Sequence, residues 1–261
     1  MNKRIIFLNR YFFPDHSATS QMLSDLAFGL ASRQHNVTVI TSRQRYDDPD
    51  ARLPKSEQIE GVKIVRVATP RFGRASIIGR LFDYLGFYIT ATFALARNAR
   101  RNDVIVAKTD PPLISVPAAV ICSMRGATLV NWLQDLFPEV AQALDVKGFS
   151  GVIGNIARIL RNWSLRKASL NVVIGQRMQQ RLLDLKVPSE KISIINNWAD
   201  TTEITPIDPA DNPLRHEWEL DNVFVVGYSG NFGRAHEIET LLGAMRLLKD
   251  REDIRLSLIH I

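Results

Sequence analysis

Short runs of β-branched and other apolar residues alternate with longer amphipathic stretches along most of this chain. The short runs predict seven strands before residue 200, at residues 4–9, 37–41, 62–67, 103–107, 128–133, 170–174 and 192–195. The first long stretch, residues 19–33, repeats apolar residues at helical spacing and predicts a helix. Strands that alternate with helices in this way are typical of an α/β fold built around a mostly parallel sheet.

The pattern changes near residue 200, where residues 199–222 form a polar stretch with three prolines. Such a stretch is typical of a crossover between domains. One strand–helix–strand unit follows, with strands at residues 223–227 and 254–259 and a helix at 237–249. A doubly wound nucleotide domain needs two βαβαβ halves. We therefore expect a complete first domain at residues 1–200, a linker at 201–222, and a truncated second domain at 223–261.

The composition is that of a folded domain, with 46% hydrophobic and 23% charged residues among 261. The longest uncharged apolar stretches, residues 85–96 and 113–124, have 12 residues each. A membrane-spanning helix needs roughly 18 to 20, and the N-terminal apolar run is too short for an export signal. The single cysteine, Cys122, lies in an apolar run and predicts a buried, inert thiol. These features favour a cytoplasmic location.

Two amphipathic segments carry much of the positive charge of this chain, whose formal net charge is +6. Residues 71–101 hold six arginines opposed only by Asp83, and residues 152–168 hold Arg158, Arg161, Arg166 and Lys167 without an acid. Two interpretations remain open: the apolar faces pack on the sheet and the cations are solvated, or the segments lie on an anionic membrane surface. Because no nucleic-acid reader motif accompanies the charge, we expect no nucleic-acid partner.

The turn from Tyr228 to Arg234 joins a predicted strand to a predicted helix and contains Gly230 and Gly233. Free backbone N–H groups and the positive end of a helix dipole at such a turn can hold a phosphate. Arg234 can add a charge-assisted hydrogen bond, and His236 is a second donor nearby. The alternative is an ordinary strand–helix turn that uses glycine only for its geometry.

Asp135 follows a predicted buried strand, at the carboxyl end where open α/β sheets bind ligands. A carboxylate there is a candidate for ligand binding or catalysis, and the alternative is a helix N-cap ahead of Pro138. In the first loop, Asp15 and His16 are candidates for substrate contact, with a loop cap and a solvated histidine as the alternative.

The sequence Asp48-Pro49-Asp50 matches a D-x-D metal-binding pattern, but three neighbouring arginines favour a solvated loop. The histidines show no ligand spacing with Cys122 or with one another. We therefore expect no metal and no cofactor.

Four segments together carry a resemblance to a known family. They are residues 11–14 (YFFP) with the following loop and helix, 132–139 (WLQDLFPE), 194–200 (IINNWAD) and 230–234 (GNFGR). In this order and spacing, the chain resembles family 4 glycosyltransferases of the GT-B type, especially those that build bacterial capsule, O-antigen or exopolysaccharide.

The resemblance implies two Rossmann-like domains that face each other across a cleft. The first domain would bind the acceptor and the second the nucleotide sugar, which is a substrate rather than a cofactor. Residues Ser17 and Ala18 stand where relatives often carry two glycines near the donor, a departure from the family pattern. Gln134 and Asp135 would face the transferring sugar, with Asp135 catalytic, and Asn197 and Asp200 would form a hinge.

The resemblance also places the donor diphosphate at the second-domain turn, residues Gly230, Asn231, Phe232, Gly233, Arg234 and His236. Many relatives use an arginine and a lysine at the positions of Asn231 and His236, so Arg234 would supply the charge here. Relatives carry an E-x7-E pair further along their second domain, and this sequence ends before it.

The expected function is retaining transfer of a sugar from a nucleotide to a polyprenyl-diphosphate-linked saccharide in surface polysaccharide synthesis. The enzyme would be cytoplasmic and peripheral on the inner face of the membrane. Two alternatives remain: a noncatalytic membrane- or partner-binding module, and a sugar-nucleotide epimerase of the same fold.

Overall fold

Strands and helices alternate through the first of two compact units, residues 1–198, and the second unit contains residues 199–261. The computed structural model describes residues 3–46, 48, 50–70, 77–145, 151–199, 204–230 and 236–259. The strands of the first unit are β1 (Ile5–Leu8), β2 (Val37–Ser42), β3 (Ser56–Ile59), β4 (Val62–Val67), β5 (Val104–Lys108), β6 (Thr128–Trp132), β7 (Leu170–Val173) and β8 (Ile192–Ile194). Its helices are α1 (Ala18–Ser32), α2 (Ile77–Asn98), α3 (Ser115–Arg125), α4 (Glu139–Ala143), α5 (Val152–Lys167) and α6 (Gln176–Asp184).

These eight strands form one sheet in the order β3-β4-β2-β1-β5-β6-β7-β8. All neighbouring pairs are parallel except β3 with β4. The chain leaves β1 toward β2 on one side and reaches β5 on the other, so the strand order reverses between β1 and β5. Ligands of open α/β sheets bind at the carboxyl ends of the strands beside such a reversal.

The sheet is buried on both faces, as a parallel sheet covered by helices must be. Alternate residues of β1 enter different cores: Phe7 packs with Leu23 of α1, whereas Ile6 packs with Leu95 of α2. All six residues of β2 are buried, which explains its nearly continuous run of β-branched residues. Helix α1 therefore covers one face of the sheet, and α2 and α3 cover the other.

The sequence predicted seven strands in this region, and the structure adds an eighth, β3. This edge strand is polar and half exposed, so it carries little hydrophobic periodicity. Its antiparallel pairing with β4 is closed by Glu60 and Gly61, whose φ angles are 45° and 81°. Positive φ at both central positions of a two-residue hairpin favours glycine there. The glycine at position 61, directly before the predicted strand at 62–67, was therefore the sequence feature that could have indicated a hairpin and so β3.

The second unit contains the predicted strand–helix–strand arrangement. Strands β9 (Phe224–Ser229) and β10 (Ile254–Ile259) pair in parallel, and α8 (Ile238–Leu247) connects them. The stretch predicted as a linker includes the short helix α7 (Pro213–Glu217). The Asn212 side chain caps α7 by accepting a hydrogen bond from the Leu214 N–H, and proline follows at the first helical position.

Among the described residues, no helix combines the length and the apolar character that crossing a membrane requires.

Helix α2 approaches the segment before it closely at Gly86, and this contact yields a prediction. A Cβ added to Gly86 would lie 2.1 Å from Cδ of Pro70, a rigid ring that cannot turn away. We expect Gly86→Ala to lower the free energy of unfolding by about 1 to 3 kcal/mol, as overpacking does. Urea unfolding followed by circular dichroism measures the change.

Gly29 in α1 provides the matched control, since a Cβ there meets nothing within 4 Å. Gly29→Ala should raise stability by about 0.5 to 1 kcal/mol through the lower flexibility of the unfolded chain. Equal stabilisation by both substitutions would contradict the close packing of α2 against Pro70.

Candidate active site

The loop after β1 is joined to its neighbours through the backbone of Arg10. The Arg10 N–H donates to the Asp110 carbonyl at 2.7 Å. The Arg10 carbonyl accepts from the Ser42 N–H and from Thr41 Oγ1, both at 2.9 Å. Because these partners follow β5 and end β2, one residue fixes the relative positions of three loops at the carboxyl edge of the sheet.

The Arg10 side chain is buried beside two aromatic rings. Its guanidinium carbon lies 5.2 Å from the ring centroid of Tyr11 and 4.8 Å from that of Tyr84. Cation–π attraction in such a place compensates part of the lost hydration of the cation. A permanent positive charge is therefore held where the carboxyl ends of β1 and β5 meet.

Asp110, in the loop after β5, is the carboxylate that this charge faces. The pKa of Asp110 is raised to about 6, chiefly by burial and also by the nearby carboxylates of Asp135 and Asp15. Arg10 and Lys108 act in the opposite direction and lower this pKa. The pKa of Asp135 is also raised by desolvation, although the residue is exposed. The site thus concentrates three carboxylates against two cations, and Asp110 can exchange a proton near neutral pH.

Lys108 ends β5 and is almost fully buried. Its ammonium donates to the Thr19 carbonyl at 2.8 Å and lies 4.0 Å from the ring centroid of Trp132. Burial lowers the pKa of Lys108 to about 7, against the opposing influence of Asp110. Trp132 in turn stacks on Trp198, with 5.8 Å between ring centroids. Lys108 therefore links β5 to the first turn of α1 rather than reaching into open solvent.

The first loop contains the predicted residues Asp15, His16, Ser17 and Ala18. Asp15 is buried, and its carboxylate accepts hydrogen bonds from the backbone N–H groups of Ser17, at 2.8 Å, and of Tyr46. These bonds favour the interpretation of Asp15 as a loop cap, while His16 is exposed. Ser17 and Ala18 lie at the N-terminus of α1, where the helix dipole favours an anion.

Asp135 lies in the loop after β6, and its interpretation as a helix N-cap is wrong. Helix α4 begins at Glu139, and the residue at its N-cap position is Pro138. The backbone N–H of Gln134 donates to Thr109 Oγ1 at 3.3 Å, which joins this loop to the loop after β5. The buried Gln134 Nε2 has no hydrogen-bond partner among the described residues and remains available to a ligand.

An open cavity of about 1130 Å³ lies beside Asp135 and Gln134. Three arginines contribute to its lining: Arg158 from α5, and Arg177 and Arg181 from α6. Arginine matches the geometry of phosphate and carboxylate groups. Asp135, Glu139 and Asp184 also line the cavity, and Glu139 is paired with Arg161. The cavity can therefore take a polar ligand larger than one sugar whose anionic part lies against the arginines.

Glu139, the last residue of the WLQDLFPE segment, forms an ion pair with an arginine of α5. Both of its carboxylate oxygens accept from the guanidinium of Arg161, at 2.6 and 3.0 Å. Arg161 is buried, and its Nε donates to Asn162 Oδ1 at 2.7 Å. The pair fixes α4 to α5 beneath the cavity.

Several predicted residues belong to the second unit or to its approach. Asn231, Phe232, Gly233, Arg234 and Asp200 lie outside the described residues. Gly230 has a φ of 154°, which favours glycine, and its N–H donates to the Ile259 carbonyl at 3.0 Å. The His236 ring meets Tyr228 edge-on with 6.0 Å between centroids, and Asn197 is exposed after β8.

The two other candidate sites in the sequence have structural explanations. Asp48 Oδ1 accepts hydrogen bonds from the N–H groups of Asp50 and Ala51, so Asp48 closes a turn in an exposed loop. Pro49 lies outside the described residues. Within the described ranges, no group of three or more His, Cys, Asp or Glu side chains is arranged to hold a metal ion. Cys122 is buried, and burial raises the pKa of its thiol to about 12.

Sequence reasoning missed Arg10, Lys108 and Asp110, which together with Asp135 form the charged centre of this site. Each lies at or just after the carboxyl end of a predicted strand, the same signal that identified Asp135. The pairing of β1 with β5 brings these residues together across about a hundred positions of sequence.

Comparison with known proteins adds family information to this geometry. A sequence model of the glycosyl transferase 4-like domain matches residues 18–198. The probable glycosyltransferase WbjE of Pseudomonas aeruginosa is 24% identical over 95% of this chain and 61% of its own length. The putative colanic acid biosynthesis glycosyl transferase WcaI of Escherichia coli K12 is 22% identical, with 95% and 63% covered. The chain thus spans less than two thirds of these relatives.

Among solved structures, the chain resembles Anabaena Alr3699/HepE, crystallised in complex with UDP and glucose. The TM-score is 0.60 at 19% identity, and the match covers 98% of this chain and 61% of the other. At this identity the likeness shows a shared fold.

The raised pKa of Asp110 yields a prediction for stability. The folded pKa, about 6, lies above the ordinary value of 3.8, so the group binds protons more readily in the folded state. Its contribution to stability is complete below pH 3.8 and is lost as the pH rises through about 6. Asp110→Asn should therefore be more stable than the wild type at neutral pH, by on the order of 1 kcal/mol, and this advantage should disappear at low pH. Urea unfolding over this pH range measures it.

Asp25→Asn is the matched control because it removes an exposed carboxylate from α1 with the same change in charge. It should leave the pH dependence of stability close to that of the wild type. An identical pH dependence in both variants would mean that burial of Asp110 does not oppose its ionisation.

Proposed function

Because this chain belongs to the glycosyl transferase 4-like domain family and has a fold of the GT-B type, we propose that it acts in sugar transfer. Residues 1–200 form the acceptor-binding domain, and residues 223–261 form the first strand–helix–strand unit of the nucleotide-sugar domain. The reaction moves a sugar from a nucleotide donor to a hydroxyl on a lipid-linked saccharide, with retention of anomeric configuration. Surface polysaccharide synthesis is the process in which this reaction takes place.

The observation that carries this proposal is the position of Asp135 between the charged centre and the cavity. Asp135 lines the cavity and at the same time raises the pKa of Asp110, so the two carboxyl groups are electrostatic neighbours. A hydroxyl bound in the cavity can donate to the Asp135 carboxylate, which orients its oxygen toward an anomeric carbon. The same negative charge stabilises the cationic character that this carbon develops as its bond to the leaving diphosphate breaks.

In the proposed transfer, the acceptor oxygen forms a bond to the anomeric carbon while the bond from that carbon to the diphosphate oxygen breaks. The departing diphosphate oxygen takes the hydroxyl proton, so protons and charge balance without a further reactant. The turn at residues 230–236, with Arg234 as its cation, remains our proposed site for the diphosphate. The substrate-side role proposed for Ser17 and Ala18 rests on their place at the N-terminus of α1.

The lining of the cavity supports an anionic acceptor. Arg177 and Arg181 are exposed one turn apart on α6, and Arg158 faces the same cavity from α5. A diphosphate that links a saccharide to a polyprenol supplies the charge that these side chains match. The names of WbjE and WcaI, and the UDP and glucose in the HepE structure, support a nucleotide sugar as the donor.

A transfer assay tests this proposal. The chain, joined to the remainder of a nucleotide-sugar domain, is incubated with a panel of nucleotide sugars and a polyprenyl-diphosphate-linked monosaccharide, and the lengthened saccharide is measured by mass spectrometry. Asp135→Asn should lower kcat by about a hundredfold to a thousandfold, the usual effect of removing a group that acts in the transition state. Arg177→Gln with Arg181→Gln should instead raise the KM for the acceptor by roughly tenfold or more.

Asp25→Asn again serves as the control for loss of a carboxylate and should transfer sugar at the wild-type rate. Formation of an epimerised nucleotide sugar without an acceptor would replace this proposal with an epimerase. Acceptor binding without turnover of any donor would indicate a noncatalytic module.

A further inference from the structure

Helices α2, α3 and α5 direct large apolar side chains away from the sheet. On α2 the exposed residues recur every three or four positions, and so do those of α3 and α5. We call this set the apolar face: Phe82, Leu85, Ile89, Phe93, Val120, Met124, Ile153, Ile156, Ile159 and Leu160. Several are more than 60% exposed, among them Phe93 at 63% and Ile159 at 65%. Single exposed apolar residues are ordinary, but a contiguous patch marks an interaction surface.

The sequence left open whether these helices pack their apolar sides on the sheet, and α5 answers the question. The side of α5 that faces the sheet contains one large apolar residue, Leu165, and its other buried residues are small or polar: Gly154, Ala157, Arg161 and Ser164. Because Arg161 enters this side to pair with Glu139, the isoleucines of α5 lie on the opposite side, toward solvent. Arg161 is therefore not one of the surface cations of this segment, which corrects the interpretation from sequence.

The apolar face is continuous across the three helices. A groove of about 660 Å³ runs between them and is lined by Leu85, Ile89 and Phe93 of α2, Val116 and Pro117 of α3, and Leu160 of α5. At the far end, the Arg125 guanidinium of α3 donates to the Ala96 carbonyl of α2 at 2.8 Å, which holds the two helices together. One flat binder can therefore contact all three helices at once.

Positive charge lies at one end of the apolar face. Exposed cations lie at or just after the C-terminal ends of the three helices: Arg97, Arg100, Arg101, Arg125, Arg166 and Lys167. The only acid in the sequences of these helices is Asp83, which is buried. Lys167 follows Leu160 by two helical turns and so lies on the side of α5 that carries the isoleucines.

We propose that the apolar face docks on the surface of an anionic lipid bilayer. Apolar side chains on an exposed helix enter the boundary between headgroups and acyl chains, and arginine and lysine beside them attract anionic headgroups. A second copy of this chain fits less well, because a symmetric contact would bring the same cations together. The inference stands on surface properties and does not require sugar transfer.

Vesicle flotation tests the inference. The 261-residue chain is mixed with vesicles of phosphatidylglycerol and phosphatidylcholine in equal parts, or of phosphatidylcholine alone, at low and high salt. We expect the chain to float with the anionic vesicles and to bind neutral ones at least about tenfold more weakly, with high salt reducing the difference. Failure to float with anionic vesicles at low salt would overturn the proposal.

Two pairs of variants separate the apolar contribution from the charge. Ile89→Gln with Phe93→Gln should weaken binding to anionic vesicles about tenfold or more. Leu247→Gln with Ile204→Gln, at exposed apolar positions of the second unit, should bind like the wild type. Arg100→Glu with Lys167→Glu should also weaken binding about tenfold, whereas Arg33→Glu with Lys55→Glu, the same change in charge elsewhere, should have a smaller effect.

Circular dichroism and sedimentation complete the test. All substituted positions are exposed, so the variants should keep the wild-type spectrum. Equal loss of binding in test and control variants would overturn the assignment of this face. Concentration-dependent dimers that Ile89→Gln with Phe93→Gln abolishes would show that a second copy covers it instead. Since binding is read without turnover, failure here is distinct from failure of the proposed transfer.

Discussion

The junction of β1 with β5 is the constraint on which the rest of the site depends. Three carboxylates lie near one sheet edge, and burial together with the charges of Asp135 and Asp15 opposes the ionisation of Asp110. Arg10 offsets this cost because its guanidinium faces Asp110 while its backbone holds the loops after β1, β2 and β5 together. Arg10 thus supplies both the positive charge and the backbone hydrogen bonds that hold these loops. These loops meet beside the reversal of strand order between β1 and β5 because Arg10 bonds to all of them.

Hydrophobic runs and strand ends allowed most of this arrangement to be predicted from sequence. Asp135 was identified because it directly follows a predicted buried strand, at the edge where open α/β sheets bind ligands. Arg10, Lys108 and Asp110 lie at the same kind of position, but a place at a strand end does not by itself show which of these residues meet. The pairing of β1 with β5 brings Arg10 close to Lys108 and Asp110, and this pairing is a feature of the tertiary structure. The edge strand β3 escaped notice because half of its residues face water.

Helical periodicity identified α5 as amphipathic but did not show which side it buries. A large apolar stripe ordinarily faces the core. Here the buried side of α5 contains Arg161, which forms a bidentate pair with Glu139, and one large apolar residue, Leu165. Leaving one partner of a buried ion pair unmatched is costly, so α5 is oriented by its arginine and presents its isoleucines outward. A rule based on hydrophobicity alone misses this because the energetic preference comes from a single charged group.

The same topology connects the candidate site to the apolar face. Helices α2 and α3 each follow a strand directly, so their first turns lie at the carboxyl edge of the sheet, where Asp110 and Asp135 are. Arg158 lines the cavity from α5, one residue before Ile159 of the apolar face. Successive residues of a helix point about a quarter-turn apart, so Arg158 and Ile159 place the cavity and the apolar face on adjoining sides of α5. A surface that holds the apolar face would therefore lie within a helix width of the cavity. An acceptor with an anionic head and a long apolar chain could then enter the cavity by its head while its chain stayed in the lipid.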